Sequence, residues 1–82
     1  MKRITITISE STAQTIAELV KACNLANKVP EGSRNGFTSH GTLTPARLLT
    51  MLAEDVGMVI TRPGSWEASN MHQVLVSHGY DI

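Results

Sequence analysis

The chain has 82 residues, no net charge at pH 7, and aromatic residues at only 4% of its composition. One small domain with an aliphatic core is expected, near the size at which a single chain buries barely enough apolar surface to be stable alone. The lone cysteine, Cys23, excludes an intramolecular disulfide framework and fits a reducing compartment. No apolar run reaches the length of a membrane span or a signal-peptide core, so a cytoplasmic protein with no membrane partner is expected. Charge is unevenly spread. Residues 1–47 carry six basic groups against three acidic, whereas residues 48–82 carry Arg62 against Glu54, Asp55, Glu67 and Asp81. Binding responds to the local field, so the basic N-terminal half keeps nucleic acid among the candidate partners.

Ile4, Ile6 and Ile8 alternate strictly with Arg3, Thr5 and Thr7. Period-2 alternation of this kind predicts a strand with one apolar and one polar face. The polar face carries an arginine and two threonines, side chains able to hydrogen-bond base edges; the plainer reading is the solvated face of a half-buried strand. No comparable strand follows nearby, and a lone strand leaves backbone groups unpaired. The economical partner is the same strand of a second copy, which predicts a homodimer with a two-stranded ribbon.

Ser9 is placed to cap an amphipathic helix from about Glu10 to Asn24, whose apolar stripe is Ala13, Ile16, Ala17, Val20 and Cys23 with Leu19 on the flank. Residues 26–41 contain Pro30, Gly32, Gly36 and Gly41 and read as a long loop with no element of its own. Its Lys28, Arg34 and His40 could touch a DNA backbone, although a solvated loop is the simpler reading. Thr44 and Pro45 then signal a second helix bearing Leu48, Leu49, Leu52 and Val56. Gly57 is its expected stop, with continuation through Met58, Val59 and Ile60 as the alternative. Pro63-Gly64 marks a turn, and Ser65 can cap a third segment holding Trp66, Met71, Val74 and Leu75 that ends near Gly79. That segment reads as a short helix, with a strand at residues 73–76 as the alternative.

Cys23 reads as a small core residue. His72 and His78 are six apart, on different faces of a helix, and with His40 they offer no metal-ligand spacing. Neither a metal nor any other cofactor is expected. Trp66 reads as a pin for the C-terminal segment or as an interface anchor. No nucleophile stands with a base, and no paired carboxylates or phosphate-binding loop are present, so an enzyme is not expected.

The order strand, capped helix, connection, capped helix resembles the ribbon-helix-helix DNA-binding proteins of the Arc, MetJ and CopG type. The resemblance rests on residues 3–11, Arg-Ile-Thr-Ile-Thr-Ile-Ser-Glu-Ser, and on residues 43–55, Leu-Thr-Pro-Ala-Arg-Leu-Leu-Thr-Met-Leu-Ala-Glu-Asp. Together with the first helix these cover about half of the chain. It implies a mostly α fold with one N-terminal strand: an intertwined homodimer whose antiparallel ribbon enters the DNA major groove. Arg3, Thr5 and Thr7 would read base edges. Thr44 at the start of the second helix would grip a phosphate, with charge added by Lys2 and Arg47. Ile4, Ile6 and Ile8 would face the helices of both subunits.

Two features depart from that pattern. The inter-helix connection is sixteen residues where the family has a few, and the chain continues past Gly57. The domain reading is accordingly a DNA-binding domain over residues 1–60, with a loop insertion at 26–41, and a C-terminal extension over residues 61–82. The expected function is a transcriptional regulator, most simply a repressor of the plasmid or phage type, binding double-stranded DNA as a homodimer. The alternative is a protein-binding module, such as an antitoxin whose C-terminal segment docks a partner protein. A third reading is a monomeric α+β domain in which residues 58–61 pair with the N-terminal strand.

Overall fold

The computed structural model describes residues 1–27 and 41–82. The chain divides into two compact units, Met1–Pro45 and Ala46–Ile82. Three helices are described: α1 (Glu10–Ala26), α2 (Pro45–Thr61) and α3 (Trp66–Ser77). All of α2 beyond Pro45 belongs to the second unit.

In the first unit, Ser9 caps α1 with extended backbone (φ −67°, ψ 157°), and its hydroxyl accepts the Thr12 amide at 3.2 Å. Glu10 lies in the first turn, where a negative charge meets the positive end of the helix dipole. The inner face of α1 is narrower than the sequence suggests. Val20 is buried, Ile16, Cys23 and Asn24 are half-buried, and Ala13, Ala17 and Leu19 are exposed. The helix runs past the expected Asn24 to Ala26, where the Asn27 amide and side chain both donate to the Cys23 carbonyl. Residues 28–40, which hold most of the expected loop, lie outside the described residues.

The expected N-terminal strand is not formed. Among the described residues there is no strand, and the only regular elements there are helices. The intermolecular ribbon and the ribbon-helix-helix architecture go with it. Ile4, Ile6 and Ile8 are 80%, 64% and 42% exposed, not buried against helices of two subunits. The physical reason is pairing. Alternation sets which side chains would share a face, but a strand requires partners for its backbone N–H and C=O groups. Among the described residues, residues 1–9 adjoin no strand that could pair those groups.

In the second unit α2 and α3 are joined by Arg62–Ser65. The Arg62 amide donates to Met58 O at 2.8 Å and the Ser65 amide to Arg62 O at 3.0 Å. Ser65 caps α3 by accepting the Ala68 amide at 3.1 Å, and its hydroxyl also reaches Met58 Sδ at 4.0 Å. Leu48 of α2 and Ala68 of α3 are buried; Met51, Asp55, Met58 and Val59 of α2 and Met71, His72 and Leu75 of α3 are half-buried. Residues 58–61 are the last turn of α2, which removes the reading in which they form a strand.

The expected stop at Gly57 fails and the alternative, continuation through Met58, Val59 and Ile60, holds; the stop near Gly79 holds as well. Glycine inside a helix costs about 1 kcal/mol relative to alanine, and half-burial of Met58 and Val59 just beyond it offsets that cost. At the end of α3, Gly79 takes φ +88°. The Gly79 amide donates to Val76 O and the Tyr80 amide to Leu75 O, both at 2.9 Å, which is a Schellman closure. The returning chain sets Asp81 Oδ1 3.5 Å from His72 Nε2.

The two glycines should respond oppositely to alanine. A Cβ meets nothing within 4 Å at either, but only Gly79 has a positive φ. Urea unfolding followed by circular dichroism should show Gly79→Ala destabilised by about 1 kcal/mol and Gly57→Ala stabilised by about 0.5–1 kcal/mol. Equal signs for the two would contradict this assignment.

Candidate nucleic-acid interface

The candidate interface starts with the residues ahead of α1. Residues 1–8 belong to no helix or strand and are exposed throughout. The exposure of the isoleucines falls steadily toward Ser9, so the segment joins the body at the helix cap. Lys2 and Arg3 place two adjacent positive side chains on the segment, and no acidic residue stands between them and Glu10. Among the described residues neither Lys2 nor Arg3 makes an ion pair. A compact cationic segment with its charges in water is suited to a polyanion, because replacing condensed counterions on the polyanion drives binding.

Thr5 and Thr7 stand on the same exposed segment as Lys2 and Arg3. Where the segment meets α1, four further hydroxyls gather. Ser9 Oγ lies 3.2 Å from Ser11 Oγ and donates to Thr12 Oγ1 at 2.9 Å, and Thr15 donates to the Ser11 carbonyl at 2.9 Å. This cluster already uses its hydrogen-bonding capacity to fix the helix start.

Thr44 and Arg47 are both exposed, immediately before α2 and in its first turn. Thr44 falls in the first unit with the N-terminal segment, and Arg47 in the second. Lys2, Arg3, Thr5 and Thr7 share one exposed segment of the first unit, and Arg47 belongs to the second. Lys28, Arg34 and His40 lie outside the described residues.

Sequence reasoning missed the contact that holds the approach to α2. The Asn24 carboxamide makes two hydrogen bonds to the backbone of Leu43: its Nδ2 donates to Leu43 O at 3.0 Å, and its Oδ1 accepts the Leu43 amide at 2.8 Å. A side chain here imitates the pairing that a neighbouring strand would give. It ties the end of α1 to the residue before Thr44, across nineteen positions of sequence. The available signal was a polar residue four positions after Val20, next to the apolar stripe. Among the described residues no group of three or more His, Cys, Asp or Glu could hold a metal ion, and no helix is long and apolar enough to cross a membrane.

Comparison of the chain with protein-family models, with curated proteins and with solved structures gave no match. The functional reading therefore stands on the residues themselves.

Removing the Asn24 side chain leaves a part-buried donor and acceptor on Leu43 without partners. Asn24→Ala should cost about 1–3 kcal/mol. It should also speed hydrogen exchange of the Leu43 amide by at least about tenfold, while Asn27→Ala, at the exposed helix end, leaves that amide unchanged.

Proposed function

We propose that the chain is a sequence-specific DNA-binding transcriptional regulator, acting as a homodimer, that contacts duplex DNA through its N-terminal segment. The observation that carries the reading is an exposed cationic segment, interleaved with hydroxyl side chains, fixed at one end to a capped helix. Lys2 supplies a phosphate contact. Arg3 presents a fork that matches guanine O6 and N7, and Thr5 and Thr7 each present a hydroxyl and a methyl to base edges. A segment with few contacts of its own orders on its target, which lowers affinity but lets it follow the groove. Thr44 and Arg47 supply further backbone contacts. Occlusion of a promoter makes repression the simplest outcome.

A second reading draws on the C-terminal segment, where Trp66 is 81% exposed and Tyr80 also faces solvent. Exposed tryptophan and tyrosine suit a protein-binding module such as an antitoxin. The segment is capped at both ends of α3 and buries Ala68, so a partner would meet a surface already formed.

The test is a duplex selected from a random-sequence pool, titrated over a salt series. Wild type should prefer it to a scrambled duplex, and Arg3→Ala should lose discrimination worth about 1–3 kcal/mol per base contact. Lys2→Ala should lower affinity for both duplexes and flatten the salt slope by about 1 for each copy bound. Failure of the selection to enrich any sequence, with equal binding of both duplexes by wild type, would sink the reading.

A further inference from the structure

Three hydroxyl residues among those described follow a lysine or arginine by two or three positions. Thr50 follows Arg47 but stands inside α2, and Ser65 follows Arg62 but already caps α3 by accepting the Ala68 amide. Thr5 is the third, with Lys2 and Arg3 both ahead of it. It belongs to no helix or strand, is exposed, and makes no hydrogen bond among the described residues. Thr7 is exposed as well but lacks a basic residue at those positions.

We propose that Thr5 is a phosphorylation site for a serine/threonine kinase that reads basic residues ahead of its target, and that the phosphate weakens duplex binding. The site needs only Thr5 and its neighbours, while the weakening rests on the DNA-binding reading and regulates that same surface. Phosphoryl transfer requires the acceptor oxygen in line with the γ-phosphoryl of ATP, which suits a hydroxyl held by neither a helix nor a hydrogen bond. Such a kinase selects its substrate by charge through acidic side chains, and Lys2 and Arg3 form no ion pair among the described residues. The γ-phosphoryl passes to Thr5 Oγ1, the hydroxyl proton goes to the catalytic aspartate of the kinase, and ADP leaves.

Charge sets the consequence. Lys2 and Arg3 are the charged side chains of residues 1–9. A phosphothreonine carries about −1.5 to −2 at pH 7, enough to cancel both. Its oxygens compete with guanine and DNA phosphate for the Arg3 fork, and they repel the DNA backbone. The hydroxyl and methyl of Thr5 lose their approach to a base edge as well.

The test incubates the full chain with Mg²⁺-ATP and the catalytic subunit of cAMP-dependent protein kinase, a probe that prefers basic residues ahead of its target. Wild type should gain a single phosphoryl group, mapped to Thr5 by fragmentation mass spectrometry. Thr5→Ser should accept it and Thr5→Val should not, while Thr50→Ala accepts it like wild type. Arg3→Ala should lower kcat/KM for the transfer by about tenfold or more. The phosphorylated chain should then bind the selected duplex about tenfold or more weakly than a chain incubated without ATP. Phosphatase treatment should restore binding. No incorporation, incorporation at Thr7, Thr50 or Ser65 in place of Thr5, or a rate unaffected by Arg3→Ala would overturn the site. Unchanged duplex affinity of the phosphorylated chain would overturn its effect. A chain phosphorylated at Thr5 that prefers no duplex would keep the site and remove the regulator reading together with that effect.

Discussion

Scarcity of buried apolar surface is the constraint on which this structure turns. Among the described residues only Val20, Leu48 and Ala68 are buried. Full burial of an aliphatic side chain contributes about 1.5–3 kcal/mol, while ordering each residue of backbone costs about 1–2 kcal/mol. Local devices therefore carry unusual weight. Serine caps begin α1 and α3, a Schellman closure ends α3, and a carboxamide ties Leu43 to α1. Each satisfies backbone groups that a larger core would have enclosed and paired.

The same scarcity shapes the functional reading. With so little core among the described residues, Ile4, Ile6 and Ile8 stand in water beside Lys2 and Arg3, and Leu52, Val56 and Ile60 of α2 are exposed. The N-terminal segment combines charge with hydroxyls and suits a nucleic acid; the three α2 residues carry no charge. The chemistry of the two exposed surfaces differs, and each can be altered without touching the other.

Some of this was legible in the residues. Ser9 and Ser65 were readable as caps because a hydroxyl directly ahead of an apolar-periodic run has one evident use. Gly79 was readable as a stop because the 3.6-residue pattern ends there. Gly57 left two outcomes open, with the stop preferred; its intrinsic cost is small beside the half-burial of Met58 and Val59, which is a tertiary quantity, and the helix continues. The N-terminal strand was misread for a related reason, since strict alternation describes faces and carries no information about a pairing edge. Asn24 went unread because a polar residue beside an apolar stripe signals an unsatisfied group without saying which backbone will meet it. Arg3, Thr5 and Thr7 were grouped as base-reading residues and lie on one exposed segment; of the phosphate set, Lys2 lies on that segment, Thr44 in the same unit and Arg47 in the other.

By itself the sequence determined the three helices, the serine starts of α1 and α3 and the hydrogen-bonding character of the N-terminal segment. These depend on interactions within a few residues, which local order encodes. Only the tertiary structure decided that α2 passes through Gly57, that Asn24 clasps Leu43, and that residues 1–9 stay outside any sheet. Those outcomes depend on which distant groups come within bonding distance, and a residue pattern alone does not fix that.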